Sequence, residues 1–238
     1  MRDLNEIVDS LKPFSSCEVS DALVRLGVQH GGYLSDIRAF SPMEFGDAHP
    51  KLIGPATTVE IVHASTELVE SPQGHHVSFP CIGLISYGRI DLARPGRVMV
   101  ITAPADCNNA IWGGLMSAAA KSKGLIGVVL NGRCRDIAEH RSLGFPVFAK
   151  AQSTLGQNSF TKVSAIDQPI HIPNGAGLEI TVNPEDIIVA DEDGVVVIPL
   201  KLLEQAVAIM AVAAEQNARC MEDLINGHGV GETFKKHR

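Results

Sequence analysis

The sequence predicts an α/β fold in which helices pack on a mixed β-sheet as a sandwich. Short apolar runs alternate with helical segments between residues 98 and 149, which is the pattern of strand–helix–strand units. Short strands joined by a turn follow between residues 178 and 198, which is typical of a hairpin. An amphipathic segment over 202–226 predicts a long final helix. Alternation in the middle and hairpins later together predict a mixed sheet.

Two helices are predicted at the N-terminus, separated by a proline. Apolar side chains recur at helical spacing within residues 4–11, and Pro13 prevents that helix from continuing. Ser15 or Ser16 can serve as the N-cap of a second helix, which is expected to end near Gly27.

The remaining predicted elements come from apolar runs that are bounded by turn-forming residues. In chain order they are strands over 52–63 and 98–101, a helix over 112–123, a strand over 125–130, a short helix over 136–144, strands over 146–149, 178–182, 187–190 and 195–198, and the helix over 202–226. We expect Gly124 to end the helix over 112–123, and Asn131-Gly132 to turn the chain after the next strand. Asp191–Gly194 is expected to form a hairpin turn, and the basic residues Lys235–Arg238 a solvated terminal tail.

Length and charge limit the classes of protein to which the chain can belong. The 238 residues can bury a sizeable core, and we expect one domain over residues 1–238, with helices within 1–30 and 200–228 packed on an α/β core. The net charge of −7 argues against a nucleic-acid-binding surface, because phosphate binding needs clustered Lys and Arg. Charged side chains interrupt the alanine-rich C-terminal segment, so no membrane-spanning helix is expected.

The cysteines indicate a reducing compartment. They are odd in number, scattered and without a Cys-x-x-Cys pair, which favours free thiols over disulfides or a cysteine-rich zinc site. No apolar segment of a signal peptide follows Met1. We therefore expect a cytoplasmic protein.

The residue types that best suit chemistry lie between Gly113 and Glu139. Gly113-Gly114 precede a predicted helix, where free amides and the helix dipole favour an anion. Arg135 offers a planar fork for a carboxylate or an enolate, and Asp136 a hard oxygen ligand for Mg²⁺ or Mn²⁺. Glu139 lies one helical turn after Asp136, on the same face. Close packing, a surface ion pair and a solvated helix turn would give the same patterns.

This stretch resembles the RraA-like superfamily, and within it the class II pyruvate aldolases acting on 4-hydroxy-4-methyl-2-oxoglutarate and 4-carboxy-4-hydroxy-2-oxoadipate. Those aldolases carry a glycine, twenty residues, Arg-Asp, two residues and an acid, and Gly114, Arg135-Asp136 and Glu139 stand at that spacing. The segments Gly113–Ser117, Glu139–Arg141 and Pro146–Ala149 resemble fungal members in particular. Weaker likeness at Cys17–Asp21 and Asp191–Val196 extends the resemblance over most of residues 14–200. The chain departs from the family at Asn131-Gly132, because Asp-Gly is frequent at this position in the family. The change from Asp to Asn would alter a turn hydrogen bond or the surroundings of the site.

The resemblance implies how a substrate would be held. It implies a β/β/α swivelling-type fold that assembles as a homotrimer or hexamer, with sites near subunit interfaces. The carboxylate of a 2-oxo acid would be bound by four backbone amides, those of Gly113, Gly114, Leu115 and Met116. Arg135 would bind the 2-oxo group and stabilise the enolate.

The resemblance also implies a metal and a reaction. Asp136 would ligate Mg²⁺ or Mn²⁺, with waters in most other positions, and Glu139 would orient a metal-bound water. The implied activity is that of a lyase, which releases pyruvate from 4-hydroxy-4-methyl-2-oxoglutarate-type substrates and decarboxylates oxaloacetate.

Two other readings of the chemistry stay open. An aldolase can instead form a Schiff base with a lysine; Lys121 and Lys123 are disfavoured by their expected exposure, whereas Lys150 is not excluded. Regulators with this fold bind and inhibit ribonuclease E without catalysis, and they tend to lack the acid that Glu139 supplies. A methyltransferase is disfavoured, because no glycine-rich turn directly follows an N-terminal strand.

Other polar or reactive residues have structural interpretations. Asp106 is expected to cap a helix or lie in a loop, and His75-His76 to form a solvated loop pair. Cys107 and Cys134 are expected to be small buried thiols, and Trp112 a packing residue at the pocket edge.

Overall fold

A computed structural model of the chain describes residues 4–41, 51–67, 94–175 and 177–238. Its strands are β1 (Arg38–Ser41), β2 (Leu52–His63), β3 (Val98–Thr102), β4 (Ala110–Trp112), β5 (Gly127–Cys134), β6 (Val147–Gln152), β7 (Thr161–Ile166), β8 (Ile170–Pro173), β9 (Glu179–Val182), β10 (Ile187–Ala190) and β11 (Val195–Ile198). Its helices are α1 (Leu4–Leu11), α2 (Ser16–Arg25), α3 (Gly114–Ser122), α4 (Ile137–Leu143), α5 (Leu203–Ile225) and α6 (Val230–His237), with short 3₁₀ turns at Gln29–Gly32 and Leu200–Leu202. The predicted α/β fold is confirmed.

The main sheet is mixed, as predicted. Its strand order is β1-β6-β5-β3-β2-β10-β11, with β4 beside β5 and β7 beside β2, while β8 and β9 form a separate ribbon. The central strands β2, β3, β5 and β6 are mutually parallel, whereas β1, β7, β10 and β11 pair antiparallel. Because parallel strands end at one edge of a sheet, the carboxyl ends of β2, β3, β5 and β6 lie side by side.

Alternation along the central strands places apolar side chains on both faces of the sheet. Val128 and Leu130 pack with Met116 and Ala120 of α3. Val129, which lies between them, packs on the opposite face with the β8–β9 ribbon. A third cluster buries α1, α2 and α5 against β10 and β11. Burial on both faces explains why β3 and the first half of β5 are nearly continuous apolar runs.

The second helix is capped as the serine pair predicts. Ser15 accepts a hydrogen bond from the Glu18 amide at 3.3 Å, and its own amide donates to the Glu18 carboxylate at 2.8 Å. Asp191 of the predicted hairpin turn is buried and accepts hydrogen bonds from the Ser16 amide and hydroxyl at 2.7 and 2.6 Å. These bonds fix the start of α2 to the β10–β11 hairpin.

Two predictions near the centre of the chain are wrong. The helix predicted from Trp112 begins at Gly114, because Trp112 belongs to β4 and pairs with β5. Asn131-Gly132 do not turn the chain but lie within β5, which continues to Cys134. The side-chain amide of Asn131 donates to the Thr102 hydroxyl in β3 at 2.8 Å. A Cβ on Gly132 would lie 2.8 Å from the Ile111 side chain. These two residues therefore serve strand pairing and close packing.

The prediction for the C-terminal basic residues is confirmed in part: Lys235, Lys236 and Arg238 are exposed to solvent, but they lie in and at the end of a helix rather than in a free tail. Residues 235–237 form the last turn of α6, and Lys236 and His237 contact the Asp223 carboxylate at 3.0 and 2.8 Å. Hydrogen bonds from Lys236 and His237 lower the pKa of Asp223. The basic residues of α6 therefore pair with an acid near the end of the preceding helix α5.

The short strands β1, β4, β7 and β8 had no prediction, because three to six residues give too little periodicity. None of the helices in the described ranges combines the length and apolarity needed to cross a bilayer.

Candidate active site

The predicted site residues meet at the carboxyl edge of the parallel strands. Arg135 directly follows β5, and its amide donates to the Trp112 carbonyl at the end of β4 at 2.9 Å. Asp136 is the residue before α4, and Gly114 is the first residue of α3. The Gly114 amide donates to Asp136 Oδ2 at 3.0 Å, so the starts of both helices converge on one carboxylate.

Asp136 has an unusual backbone conformation. Its φ and ψ are 61° and 44°, in the left-handed region that Asp and Asn tolerate better than other non-glycine residues. Although it occupies the N-cap position of α4, its side chain makes no capping bond to that helix. The carboxylate is turned instead towards α3. Backbone conformations of this kind cost on the order of 1–3 kcal/mol and cluster at functional sites.

Arg135 lies beside the Asp136 carboxylate at the mouth of a pocket. Its Nε is 3.5 Å from Asp136 Oδ2, and the two side chains are 44% and 34% exposed. A guanidinium and a carboxylate that are both accessible can engage a ligand, which a fully buried ion pair cannot. The adjoining pocket has a volume of about 500 Å³ and is lined by Arg135, Asp136, Ile137, Gln152, Ser153 and Thr154.

Glycines allow the acidic side chains to approach the start of α3. A Cβ on Gly113 would lie 2.6 Å from Asp136 Oδ2, and a Cβ on Gly114 would overlap the Glu139 carboxylate and lie 2.8 Å from Glu139 Cβ. The Gly-Gly pair is therefore required by close approach of Asp136 and Glu139.

Gly156 was missed by the sequence analysis. A Cβ there would lie 2.7 Å from Arg135 Nη1, so this glycine lets the guanidinium rest against the backbone. The segment 152–154 that lines the pocket was missed as well. Its position could have been inferred from β6, because a strand parallel to β5 delivers its carboxyl end to the same edge.

A buried hydrogen-bonded chain lies behind the site. Trp112 Nε1 donates to Ser117 Oγ at 2.8 Å, and Ser117 Oγ is 2.9 Å from His140 Nδ1. Trp112 also stacks on Phe145 with 6.4 Å between ring centroids, which confirms its predicted packing role. Burial lowers the pKa of His140 below its ordinary 6.5. The imidazole is therefore neutral near pH 7.

Burial of neutral His140 predicts a pH-dependent stability. As pH falls below about 6.5, the ordinary pKa of histidine, the unfolded chain binds a proton on His140 before the folded chain does. The free energy of unfolding that is present above this pH is therefore lost as the pH falls. We expect the free energy of unfolding to fall more steeply between about pH 8 and pH 5.5 for wild type than for His140→Gln. Urea unfolding at both pH values measures the difference. Equal slopes for the two proteins would contradict the assignment.

The lysines that could form a Schiff base do not face Asp136. Lys121 donates to the Leu143 carbonyl at the far end of α4. Burial lowers the pKa of Lys150, which suits a nucleophilic amine, but its Nζ donates to the Pro173 carbonyl in β8 at 3.3 Å. Lys150 thus lies on the β8–β9 side of the sheet, away from α4.

A larger cavity lies at the opposite edge of the sheet. Its volume is about 880 Å³. It is lined by residues 8 and 18 of α1 and α2, by 12, 13 and 15 between these helices, by 51–53, 126 and 146 at the amino ends of the strands, and by 191–193. Asp191 and Glu18 in its wall already hold α2 in place. Its size alone does not make it the better site, because the convergent Arg135, Asp136 and Gly114 lie elsewhere.

The remaining single-residue predictions have mixed outcomes. Asp106 lies in the connection between β3 and β4, as a loop role requires, and no helix starts there. Cys134 is buried as predicted, and burial raises its pKa to about 12, whereas Cys107 is partly exposed. His75-His76 lie outside the described residues.

Sequence relatives support the resemblance of the central motif. The family described as Aldolase/RraA matches residues 16–197. A Halalkalibacterium halodurans protein, provisionally named 4-hydroxy-4-methyl-2-oxoglutarate aldolase, is 38% identical over 107 residues, which are 45% of this chain. The match spans 48% of that protein, about half its length. An Albidiferax ferrireducens protein with the same provisional name is 26% identical over 77% of this chain and 94% of its own length.

A solved structure shares the fold. The crystal structure of Streptomyces coelicolor RraAS2, described as an unusual member of the RNase ES inhibitor RraA protein family, has a TM-score of 0.69 and 24% identity. The alignment covers 96% of this chain and 99% of that one. At 24% identity this similarity concerns the fold alone. The match to the family over residues 16–197 covers more than half of the chain and includes Gly114, Arg135, Asp136 and Glu139. The chain therefore belongs to the Aldolase/RraA family.

Proposed function

We propose that the chain is a divalent-metal-dependent lyase that releases pyruvate from 4-hydroxy-4-methyl-2-oxoglutarate-type substrates and decarboxylates oxaloacetate. The observation that carries the proposal is the convergence of Arg135, Asp136 and the Gly114 amide beside an open pocket. Two relatives that are provisionally named as aldolases support the reaction class.

Arg135 is proposed to bind the 2-oxo acid. Its guanidinium can donate two parallel hydrogen bonds to the 2-oxo oxygen and the neighbouring carboxylate. Of the four amides expected to hold that carboxylate, Gly114 donates to Asp136 and Met116 donates to the Gly113 carbonyl, each at 3.0 Å. Carboxylate binding at the start of α3 would therefore rest on the amides of Gly113 and Leu115.

The residues present fit a hard divalent cation. Mg²⁺ typically binds through one or two carboxylates and retains several waters, and Asp136 presents a one-third exposed carboxylate to the pocket. Glu139, one turn further along, would accept a hydrogen bond from a bound water. When bound, Mg²⁺ or Mn²⁺ would withdraw electrons from the 2-oxo group.

Both proposed reactions pass through the same intermediate, the enolate of pyruvate. In the retro-aldol reaction, the 4-hydroxyl group loses its proton to solvent and becomes the carbonyl of the departing fragment. The C3–C4 bond breaks with its electron pair left on the pyruvate unit, where the pair delocalises onto the 2-oxo oxygen as an enolate. The positive charge of Arg135 stabilises that oxygen more strongly in the transition state than in the substrate. Loss of CO₂ from oxaloacetate leaves the same enolate, and protonation at carbon then gives pyruvate. One site can therefore serve both reactions.

The alternative function is a non-catalytic regulator of RNA processing that acts by binding a protein. The fold that the chain shares with the Streptomyces protein favours it. The acid Glu139, which such regulators tend to lack, favours the enzyme, and so do the accessible Arg135 and Asp136.

Pyruvate release coupled to lactate dehydrogenase tests the proposal. Oxaloacetate and 4-hydroxy-4-methyl-2-oxoglutarate are offered with Mg²⁺, with Mn²⁺ or with EDTA, and blanks without enzyme correct for decarboxylation by the metal alone. We expect turnover above the blank that EDTA abolishes. Turnover that resists EDTA and is inactivated by borohydride in the presence of substrate would instead indicate a lysine Schiff base, for which Lys150 is the candidate. No turnover on either substrate would favour the regulator.

Replacing Gly156 by Ala is expected to displace Arg135 without unfolding the protein. The new Cβ would lie 2.7 Å from Arg135 Nη1, so the flexible end of that side chain must move. We expect kcat/KM to fall roughly tenfold and the free energy of unfolding to change by less than about 0.5 kcal/mol. The matched control is Gly229→Ala, where a Cβ would contact nothing within 4 Å. Unchanged kcat/KM in Gly156→Ala would mean that the position of Arg135 does not matter.

We also propose the wider properties that the resemblance implies. These are a single domain over residues 1–238, a homotrimer or hexamer, and a cytoplasmic location. Leu115, 74% exposed beside the site, supports a subunit contact there, and the free thiols of Cys17, Cys107, Cys134 and Cys220 support a reducing compartment. Size-exclusion chromatography with light scattering measures the assembly.

A further inference from the structure

A second group of metal-ligating side chains lies at the same edge of the sheet as Arg135 and Asp136. His63 is the last residue of β2, and Asp106 and Cys107 lie in the connection from β3 to β4. Strand β3 lies between β2 and β5, so His63 and Arg135 follow strands that are about 10 Å apart in the sheet. None of these three residues takes part in the proposed lyase chemistry.

The three ligand atoms are close enough for one cation. His63 Nε2 lies 3.0 Å from Asp106 Oδ1, and Cys107 Sγ lies 3.8 Å from His63 Nδ1. One ligand atom from each residue can be chosen so that all lie within 4.8 Å of one another. In a tetrahedral zinc site, neighbouring ligand atoms are roughly 3.3 to 3.6 Å apart. Because an imidazole gives one nitrogen to a cation, only one of these two contacts joins two ligand atoms. Side-chain movements of about 1 Å would bring one atom from each residue to coordination geometry.

We propose that His63, Asp106 and Cys107 bind a thiophilic divalent cation of the Zn²⁺ class, with water completing the coordination. A thiolate and an imidazole select Zn²⁺ over Mg²⁺, which prefers oxygen ligands. The side chains of His63 and Asp106 are 43% and 76% exposed, so an ion can reach them from solvent. This site differs from the hard-cation position at Asp136 in both ligand type and place.

The position of the cluster indicates what the cation does. It would join the end of β2 to the connection that leads through β4 into Gly113-Gly114. Asn109 of that connection is already anchored to Thr161 of β7 by a 3.0 Å hydrogen bond. A cation at the cluster fixes the same connection at a second point, so it stabilises the segment that precedes the active site.

A cysteine nucleophile is the competing use of these residues. His63 would act as its base, and Asp106 would orient the imidazole. The 3.8 Å separation of Cys107 Sγ from His63 Nδ1 is long for a nucleophile–base pair. Cation binding is therefore the better use.

Titration of the metal-free protein with Co²⁺ tests the proposal, because cobalt bound to a thiolate absorbs light that aqueous cobalt does not. We expect one equivalent to give a thiolate-to-cobalt charge-transfer band and tetrahedral visible bands, which Zn²⁺ displaces and Mg²⁺ does not. Cys107→Ser should abolish the charge-transfer band, and His63→Gln should weaken Co²⁺ binding by at least about tenfold. Zn²⁺ should raise the melting temperature of wild type but not of Cys107→Ser.

Two control variants distinguish this site from others. Cys17→Ser removes another thiol that lies beside a carboxylate, that of Asp193, and should leave the band unchanged. Asp136→Asn removes the proposed hard-cation ligand and should also leave it unchanged. Absence of the band in wild type, its persistence in Cys107→Ser, or its loss in either control would overturn the proposal.

Discussion

Asp136→Asn is expected to lower kcat for metal-dependent pyruvate release by at least about 10²- to 10³-fold, with little loss of stability. Asparagine tolerates the left-handed backbone that residue 136 adopts at φ 61°. Its side-chain oxygen can still accept the hydrogen bond that the Gly114 amide donates at 3.0 Å. The substitution therefore removes the negative charge that would ligate the metal and preserves the local structure.

Asp36→Asn is the matched control for this variant. Asp36 is an exposed aspartate that also has a left-handed backbone, with φ 63°, so it undergoes the same chemical change in the same conformation. It lies before β1, outside the residues that line the pocket. We expect its kcat to equal that of wild type. If Asp136→Asn matched wild type as well, Asp136 would not be the metal ligand.

Arg135→Lys tests the neighbouring residue, because it keeps the positive charge and removes the planar guanidinium. A lysine ammonium cannot donate two parallel hydrogen bonds to a 2-oxo acid, so we expect kcat/KM to fall by about 10- to 100-fold. Arg135→Ala should lose more, because the enolate then loses the positive charge that the guanidinium supplies. Steady-state kinetics on oxaloacetate separate the effect on kcat from that on KM.

Gly114→Ala is expected to abolish most of the activity and to cost about 1–3 kcal/mol of unfolding free energy. The backbone of Gly114 is that of an ordinary first helical residue, so alanine is not strained there by its φ. The cost arises from Glu139, whose carboxylate occupies the space of the new Cβ and whose own Cβ would lie 2.8 Å away. Displacing Glu139 also shifts the contact between the Gly114 amide and Asp136.

A second substitution shows whether Glu139 causes the loss. Glu139→Gly removes the atoms that the alanine would meet, but a glycine within α4 itself costs about 1 kcal/mol. The double variant should therefore be destabilised by less than the sum of its two single substitutions, and it should remain inactive. Gly231→Ala is the control, because this helical glycine has no neighbour within 4 Å and alanine there should stabilise α6 by about 0.5–1 kcal/mol. Urea unfolding measures the single variants and the double variant. Wild-type stability and kcat in Gly114→Ala would contradict the predicted overlap.

Elements with strong local preferences could be predicted from the amino-acid sequence. Apolar periodicity located α1, α2 and α5, and Ser15 with Glu18 identified the cap of α2. Long apolar runs located β2 and β3. Short strands such as β4 and β7 were missed, because they exist through pairing with β5 and β2 rather than through their own propensity.

The amino-acid sequence by itself determined that Arg135, Asp136 and Glu139 stand together at the start of a helix, because this depends only on spacing. The tertiary structure decided which residues surround them. Gly156 reaches Arg135 because β5 and β6 are parallel neighbours, and His63 meets Cys107 because β2 and β3 end at one edge. Contacts between residues 20 to 45 positions apart depend on strand order and register, which arise from packing of the whole sheet and leave no local pattern.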